Sequence, residues 1–469
     1  MNPVPTIRHG IPPGESPLIA VAIVGAGACG LVAALALRNA GVECVVLERD
    51  AQPRGSTALS SGFIPAPGSA TQRAAGVNDS VALFMDDIQA KAHGGAAPRL
   101  VAAYARAIGP AIDMLAKRHG IEFELLDGFL YPGHSVRRMH AVPERTGAAL
   151  MLQLERSARA AGADLLAQAM VHELWVDEAQ QITGIGYQRP DGRTEHLRCH
   201  ALLLACNGFG GNAQLVGELL PGMYHAPFAG HSGNDGSAIA WGRQLGARLA
   251  DLGAYQGHGS WAIPHGILVS WALMMEGAIQ VNDRGERFHD ETQGYSEAAV
   301  HVLAQPGGVA WNVFDAPILA LAEGFPDFCA AQAAGAVKRC ADVQALATLI
   351  GCDAARVGAA CSQTTRALAA PAADEVPKPG GAKRALQAPF FAVKVTGALF
   401  HTQGGLDIDA QCRVLRADGT AFPNLLAAGG AARGVSGHAV WGYLSGNGLL
   451  SAVAGGAIAA GTIIHRGMP

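Results

Sequence analysis

The stretch from Leu18 to Asp50, "LIAVAIVGAGACGLVAALALRNAGVECVVLERD", constrains the fold more than any other part of the chain. A β-branched apolar run ends at Gly25, a glycine turn follows, and "LVAALALRNAG" keeps helical spacing up to Gly41. "VECVVLERD" reads as the next strand. Strand, glycine turn, helix and strand within about thirty residues form a βαβ unit. Gly25, Gly27 and Gly30 give G-x-G-x-x-G directly after the strand, at the opening of the helix. The first glycine makes the turn, the second lets a pyrophosphate approach, and the third lets helix and strand pack closely. Around Ala28 and Cys29 the helix start offers unpaired N–H groups and a positive dipole end. Glu48, followed by Arg49, ends the second strand 18 residues after Gly30, where an acid can bind a ribose hydroxyl. An acid there suits a free 2′-hydroxyl, hence FAD or NAD rather than NADP. An ordinary βαβ turn is the bland alternative, and it requires no acid at that place.

The rest of the composition narrows the function classes. The chain has 469 residues, half of them hydrophobic, which is enough for a large core and two domains. A charged fraction of 15% and a formal net charge of −4 leave no electrostatic footprint for nucleic acid or an anionic membrane. The nine cysteines form no C-x-x-C pair, which points to a reducing compartment and speaks against a metal cluster. The N-terminus is rich in Pro and Gly and lacks the apolar core of a signal peptide. The most apolar segment, 443–464, is broken repeatedly by Gly and Ser, so no membrane span is expected. A soluble cytoplasmic protein is the expectation.

Glycine clusters dominate both ends of the chain and thin out between about 251 and 395. That pattern predicts a flexible N-terminus over 1–17, a nucleotide-binding domain over 18–250 and 396–469, and an inserted cap over 251–395. Helices are expected at 98–119, 147–162, 313–335, 342–371 and 446–462, with strand-like segments through 164–205. "DEVPKPGGAKRA" reads as a linker.

Two stretches favour FAD. "GSTALSSGFIP" (55–65) offers Ser56, Thr57, Ser60, Ser61 and Gly62 where a flavin's phosphates and ring edge would run. "LLAAGGAARGVSGH" (425–438) is an apolar strand ending in Gly429 and Gly430, able to close over the ribityl chain. A cofactor clasped by both ends of the chain is a flavin arrangement. No second G-x-G-x-x-G follows a strand, so direct NAD(P)H binding is not expected.

Taken with "ACNGFGGN", "GNDGSAIAWGRQLGA", "GERFHDE", "HTQGGLDID" and the closing "AAGGAARGVSG", these motifs resemble the fumarate reductase/succinate dehydrogenase flavoprotein superfamily, in order and over nearly the whole chain. The resemblance implies an α/β fold: a Rossmann-like FAD-binding domain with an inserted α+β cap, and substrate against the flavin between the two. It adds Asn207, Gly208, Asp235, Gly446, Gly448 and Leu449 to the cofactor-binding residues. FAD is expected to be non-covalent, because no histidine lies between residues 10 and 92 to carry a covalent link. Gly429-Gly430 departs from the family's usual Gly-Glu, which removes one carboxylate from the ribityl site.

The substrate positions depart further. His258 and His401 match substrate histidines of fumarate reductases. The Thr-Glu pair, however, is Ser270-Trp271, the relay arginine is Met274, and the proton-donating arginine is Tyr295. No arginine lies between 434 and 465 to close the C-terminal loop. A dianion wants charge-assisted hydrogen bonds from guanidinium groups, so the pocket suits a less charged, more apolar compound.

Tyrosine at this place is similar to the 3-ketosteroid Δ1-dehydrogenases and related ketone desaturases. The resemblance implies that Tyr295 of "GERFHDETQGYSEAA" removes a proton next to a ketone, and that Tyr131 of "FLYPGH" hydrogen-bonds it and lowers its pKa. Tyr443 and the Gly448 N–H of "WGYLSGNGLL" would bind the carbonyl oxygen, although Tyr443 stands one residue off the best match. A polarised carbonyl is what α-proton removal requires. A packing tyrosine with a satisfied hydroxyl is the bland reading of each. His134, Arg138 and His140 of "YPGHSVRRMH" read as a solvated basic turn.

The expected function is α,β-desaturation of a cyclic or steroid-like ketone, with electrons leaving to a quinone, a carrier flavoprotein or oxygen. Run backwards, the same site is an ene-reductase. A non-catalytic flavin-holding protein is the reading from another class.

Overall fold

The computed structural model describes residues 3–127, 130–369 and 386–467, with side chains at 363–369 left aside. "LIAVAIV" has no polar face, and Leu18–Val24 accordingly lies inside a nine-stranded sheet, parallel to Cys44–Leu47 on one side and Thr194–Leu204 on the other. Ala421–Ala427 joins the sheet in parallel beside Thr194–Leu204, so the chain's two ends share one layer. The helix Ala28–Asn39 packs on the C-terminal helix Asn447–His465. At Gly456 a Cβ would stand 2.3 Å from the Cys29 carbonyl oxygen, so glycine permits this approach. Asn447–His465 is an unbroken helix long and apolar enough to cross a bilayer, and here it is half-buried in the core.

The cap has its own hydrophobic core and a six-stranded sheet whose centre is Tyr255–Ala262, Phe390–Thr402 and Val309–Asp315, all antiparallel. Tyr295–Leu303 is the helix that lies on this sheet. Its seat is made of glycines. A Cβ at Gly259 would meet Ala298 Cβ at 2.6 Å, one at Gly257 would meet Ala299 Cβ at 2.8 Å, and one at Gly397 would meet the Ala299 carbonyl oxygen at 2.4 Å. Three small residues under one helix let it sink onto the sheet and fix Tyr295 at its first turn.

Four expectations need correction. Part of the 1–17 segment is not flexible: Thr6–His9 forms the sheet's edge strand, parallel to Met170–Val176. The boundary at 395/396 falls inside the continuous strand Phe390–Thr402, whose far end still pairs Tyr255 with Thr402. Residues 313–315 end a strand, because "VAWNVFD" is β-branched and aromatic; helix begins at Ala316–Ala322 and resumes at Pro326–Ala333. The segment 342–371 divides into Val343–Ile350 and Ala354–Ala369, with Gly351 left-handed at the break. The linker 374–385 lies outside the described residues. Helices at Pro98–His119 and Gly147–Ala160 match their periodicity.

Candidate active site

One cavity of about 840 Å³ runs from the glycine turn to the cap. At its first end Gly25 has φ +105°, and a Cβ there would stand 2.5 Å from the Ala205 carbonyl oxygen. A Cβ at Gly30 would sit 2.0 Å from the Gly25 carbonyl oxygen, so this glycine packs the turn and does not line the cavity. Gly27 has only Thr57 Oγ1 nearby, at 3.8 Å, and leaves open space at the helix start. Gly27, at the N-cap, has no side chain to cap that helix. Thr57 Oγ1 accepts the Ala28 N–H at 3.3 Å.

Glu48 accepts the N–H groups of Ala26 and Asp50, both at 3.0 Å, and burial pushes its carboxyl up. Arg49 bridges to Asp235 at 3.0 Å, and Asp235 in turn accepts the Ser237 N–H at the next helix start. Ser56 Oγ accepts from Asn207 at 2.8 Å and from Asn234 at 3.0 Å, tying the 55–65 segment to "NGFGGN". Ser60 holds the turn to Gly62, and Ser60, Ser61 and Gly62 all face the cavity. Gly208 does not line it; a Cβ there would strike Thr402 Oγ1 at 1.9 Å. Gly429 stands against Cys29, and Gly446, Gly448 and Leu449 complete the wall. At Gly430 a Cβ would lie 2.5 Å from Asn207 Oδ1 and 3.0 Å from His401 Nε2. A glutamate could not stand there without displacing both, so Asn207 and His401 occupy the room of the missing carboxylate. The long cavity, the open cradle at Gly27 and the acid at Glu48 fit FAD.

At the other end the cap and the C-terminal loop meet. Tyr295 stacks on His258 with ring centroids 4.8 Å apart and faces Tyr443 edge-on at 6.0 Å. Tyr295, Tyr443 and Ser445 line the same stretch of the cavity, and a Cβ on Gly448 would stand 3.7 Å from the Tyr443 hydroxyl. The one-residue offset of Tyr443 therefore does not keep it from Gly448. Tyr131 lines the cavity, packs edge-on to Phe63 and acts on Tyr295 through space. One expectation is corrected here: burial raises the Tyr295 pKa well above its ordinary value instead of lowering it. Burial likewise pushes Tyr443 up to about 12.

Ser445 carries no signal in the sequence beyond a hydroxyl two residues after Tyr443 on a glycine loop.

The histidines are neutral donors. His258 Nδ1 accepts the Ser260 N–H at 3.1 Å, so its proton sits on Nε2. Gln403 Nε2 donates to His401 Nδ1 at 2.7 Å, and its Oε1 accepts from Ser436, which fixes the same tautomer. Trp271 gives its indole N–H to the Glu291 carbonyl at 3.1 Å and presents only ring to the site. Ser270 Oγ accepts the Ala272 N–H at 3.3 Å. Met274 is wholly buried in the cap core and does not reach the cavity. The cap's Arg287 is locked to Glu291, both side chains fully buried. Arg138, His134 and His140 are buried too, not a solvated turn.

Burial lowers the pKa of His258 to about 3 and those of His134, His289 and His401 to about 4, from 6.5. Unfolding frees these rings to bind protons below pH 6.5, so the unfolded state holds more protons than the native state between pH 4 and 6.5. Stability should be level above pH 7 and fall as pH drops through that window. Urea midpoints at half-unit steps from pH 8 to 5 check this; no decline below pH 6.5 would contradict it.

A family model described as an FAD binding domain matches residues 20–449. The chain belongs to the FAD-binding 2 family. Among curated relatives of this flavoprotein, NADH:fumarate oxidoreductase of Klebsiella pneumoniae is 26% identical over 89% of the chain. The chain spans 45% of that relative's length. A probable fumarate reductase of Shewanella frigidimarina is 25% identical over 97% of the chain and 76% of its own length. Among solved structures, a flavocytochrome c3 fumarate reductase superposes with TM-score 0.79 at 24% identity, over 97% of this chain and 79% of that one. The 3-ketosteroid Δ4-(5α)-dehydrogenase of Rhodococcus jostii gives 0.76 at 22%, over 96% and 97%. The 3-ketosteroid Δ1-dehydrogenase of Sterolibacterium denitrificans gives 0.77 at 20%, over 96% and 100%. The fold is that of the fumarate reductase flavoproteins: an FAD domain with an inserted cap. The FAD-binding 2 flavoprotein is an FAD-dependent oxidoreductase.

Proposed function

We propose that this flavoprotein desaturates a cyclic, steroid-like ketone next to its carbonyl group, with Tyr295 transferring the proton. The contact of Tyr295 with Tyr443 inside the cavity that fits FAD carries this reading. FAD, when bound, supplies the hydride acceptor.

As a phenolate, once its own hydroxyl proton has left to solvent, Tyr295 takes the proton from the carbon beside the ketone. Tyr443, whose hydroxyl lies beside Gly448, polarises the carbonyl, since a substrate oxygen placed between the hydroxyl and the Gly448 N–H would accept from both. His258 stacks under Tyr295 and Trp271 walls the site, together keeping it apolar. The missing guanidinium pairs disfavour a dicarboxylate, and the Nε2–H groups of His258 and His401 suit a neutral carbonyl or a single carboxylate. Names of the solved ketosteroid dehydrogenases agree with such a substrate.

The second reading, reduction of an activated C=C bond, is favoured by the raised pKa of Tyr295. Burial keeps that phenol protonated at neutral pH, ready to donate. The curated relatives named above are fumarate reductases. Our reading further includes non-covalent FAD, a quinone, carrier flavoprotein or oxygen as electron partner, and the cytoplasm, with which nine free cysteines agree.

Anaerobic mixing of FAD-loaded protein with saturated cyclic ketones and 3-ketosteroids tests the proposal, and bleaching of the oxidised flavin band is expected. Reoxidation of chemically reduced protein by enones alone would give the reaction to the second reading. A flavin unmoved by every compound would leave a flavin-holding protein. Acid precipitation should release FAD into the supernatant.

A further inference from the structure

The turn Tyr131–His134 and the loop Tyr443–Gly446 are more than three hundred residues apart in sequence, yet they lock together in the fold. The His134 N–H donates to the Tyr131 carbonyl at 3.1 Å, closing the turn. Gly133, at φ +82°, brings its backbone so near the loop that a Cβ would stand 2.7 Å from Leu444 Cδ1. Arg138 Nη1 lies 3.2 Å from His134 Nδ1, and a guanidinium can only donate, so Nδ1 accepts. The ring proton is therefore on Nε2, which donates to the Ser445 carbonyl at 2.9 Å. Arg138 is itself held by Asp79 and Asp87, and Phe84 lies over the imidazole.

The Ser445 backbone is thus pinned two residues beyond Tyr443, whose ring faces Tyr295, and all three residues line the cavity. We infer that His134 is a positioning residue for the proton-transfer site: oriented by Arg138, it fixes the Ser445 carbonyl and thereby the Ser445 and Tyr443 hydroxyls against Tyr295. The inference rests on the reading of Tyr295 as the proton-transfer group. The same pin also brings Tyr131 to the cavity wall. Burial and the nearby Arg138 charge keep the His134 ring neutral, with its pKa near 4, although Asp87 and Asp79 face it. The pin therefore keeps its single donor across the working pH range.

The experiment compares His134→Gln with His134→Asn in the FAD-loaded full chain. A glutamine amide extends to about the Nε2 position and can donate to the Ser445 carbonyl, whereas an asparagine amide is too short. Amide hydrogen exchange across residues 443–449 should rise at least about tenfold in His134→Asn, the order of one lost hydrogen bond. In His134→Gln it should stay within about threefold of the parent. The rate of flavin bleaching by a saturated 3-ketosteroid should fall in parallel in the Asn variant, with the half-saturating concentration unchanged, and recover in the Gln variant. Equal loop exchange in the two variants overturns the inference. The exchange measurement needs no substrate, so a panel of ketones that never bleaches the flavin counts against the proposed function and leaves the pin tested separately.

Discussion

Tyr295→Phe is expected to keep FAD and to lose flavin reduction by its ketone substrate by about 10²- to 10⁴-fold, the usual worth of a positioned acid or base. Phenylalanine retains the stack on His258 and the edge contact with Tyr443, so the ring's packing survives. What disappears is one oxygen facing the cavity beside Tyr443 and Ser445. Its loss changes stability by about 1 kcal/mol, far less than the barrier change. Loss confined to the maximal bleaching rate would mark an interaction made in the transition state. A Tyr295→Phe protein that bleaches at the parent rate would move the proton chemistry elsewhere. Loss of bound FAD would make the ring structural.

The FAD half of this site was legible in the sequence because its chemistry is local. Gly25, Gly27, Gly30 and Glu48 fall within one βαβ unit, and the spacing alone places an acid beside a glycine turn. Tyr295 drew notice because it stands where fumarate reductases carry an arginine. Its neighbours Tyr443 and Ser445 were harder to foresee, since they lie on a loop some 150 positions away, and adjacency in space leaves no mark in spacing. The sign of the Tyr295 pKa shift was out of reach for a related reason. A neighbouring phenol favours the anion, full burial opposes it, and burial prevails in the assembled site.

The misread elements share one cause, the influence of distant partners. "TIRH" has no pattern that demands a strand, but the edge of Met170–Val176 accepts it. "YPGHSVRRMH" looks like a charged, solvated turn because its counter-charges, Asp79 and Asp87, belong to another segment. Gly430 looked like a lost contact, and only the fold shows Asn207 and His401 standing in its place.

Replacing Arg138 should be the most damaging change to stability away from the cofactor. Arg138 Nε and Nη2 donate to Asp79 at 2.9 and 3.0 Å, Nη1 pairs with Asp87, and the guanidinium lies 4.7 Å over the Phe84 ring. Both its own side chain and that of Asp79 are fully buried. Burial alone would raise the Asp87 carboxyl, but hydrogen bonds from Ser135 and Arg138 hold it below its ordinary value. Arg138→Met fills similar space and removes the charge, leaving two inward-facing carboxylates without their cation. Breaking a buried pair from one side costs about 3–5 kcal/mol, a large part of a typical domain's stability. Unfolding in urea at pH 7.5 reads the loss as a lowered midpoint with an unchanged slope. Adding Asp79→Asn and Asp87→Asn to Arg138→Met should recover part of it, because the penalty lies in the stranded charges more than in the lost bonds. The exposed i,i+4 pair of Arg159 with Glu155 gives the contrast, since Arg159→Met should shift stability by no more than about 0.5 kcal/mol. Equal midpoints for Arg138→Met and Arg159→Met would mean that the buried carboxylates simply take up protons. The network would then orient His134 without bearing the fold.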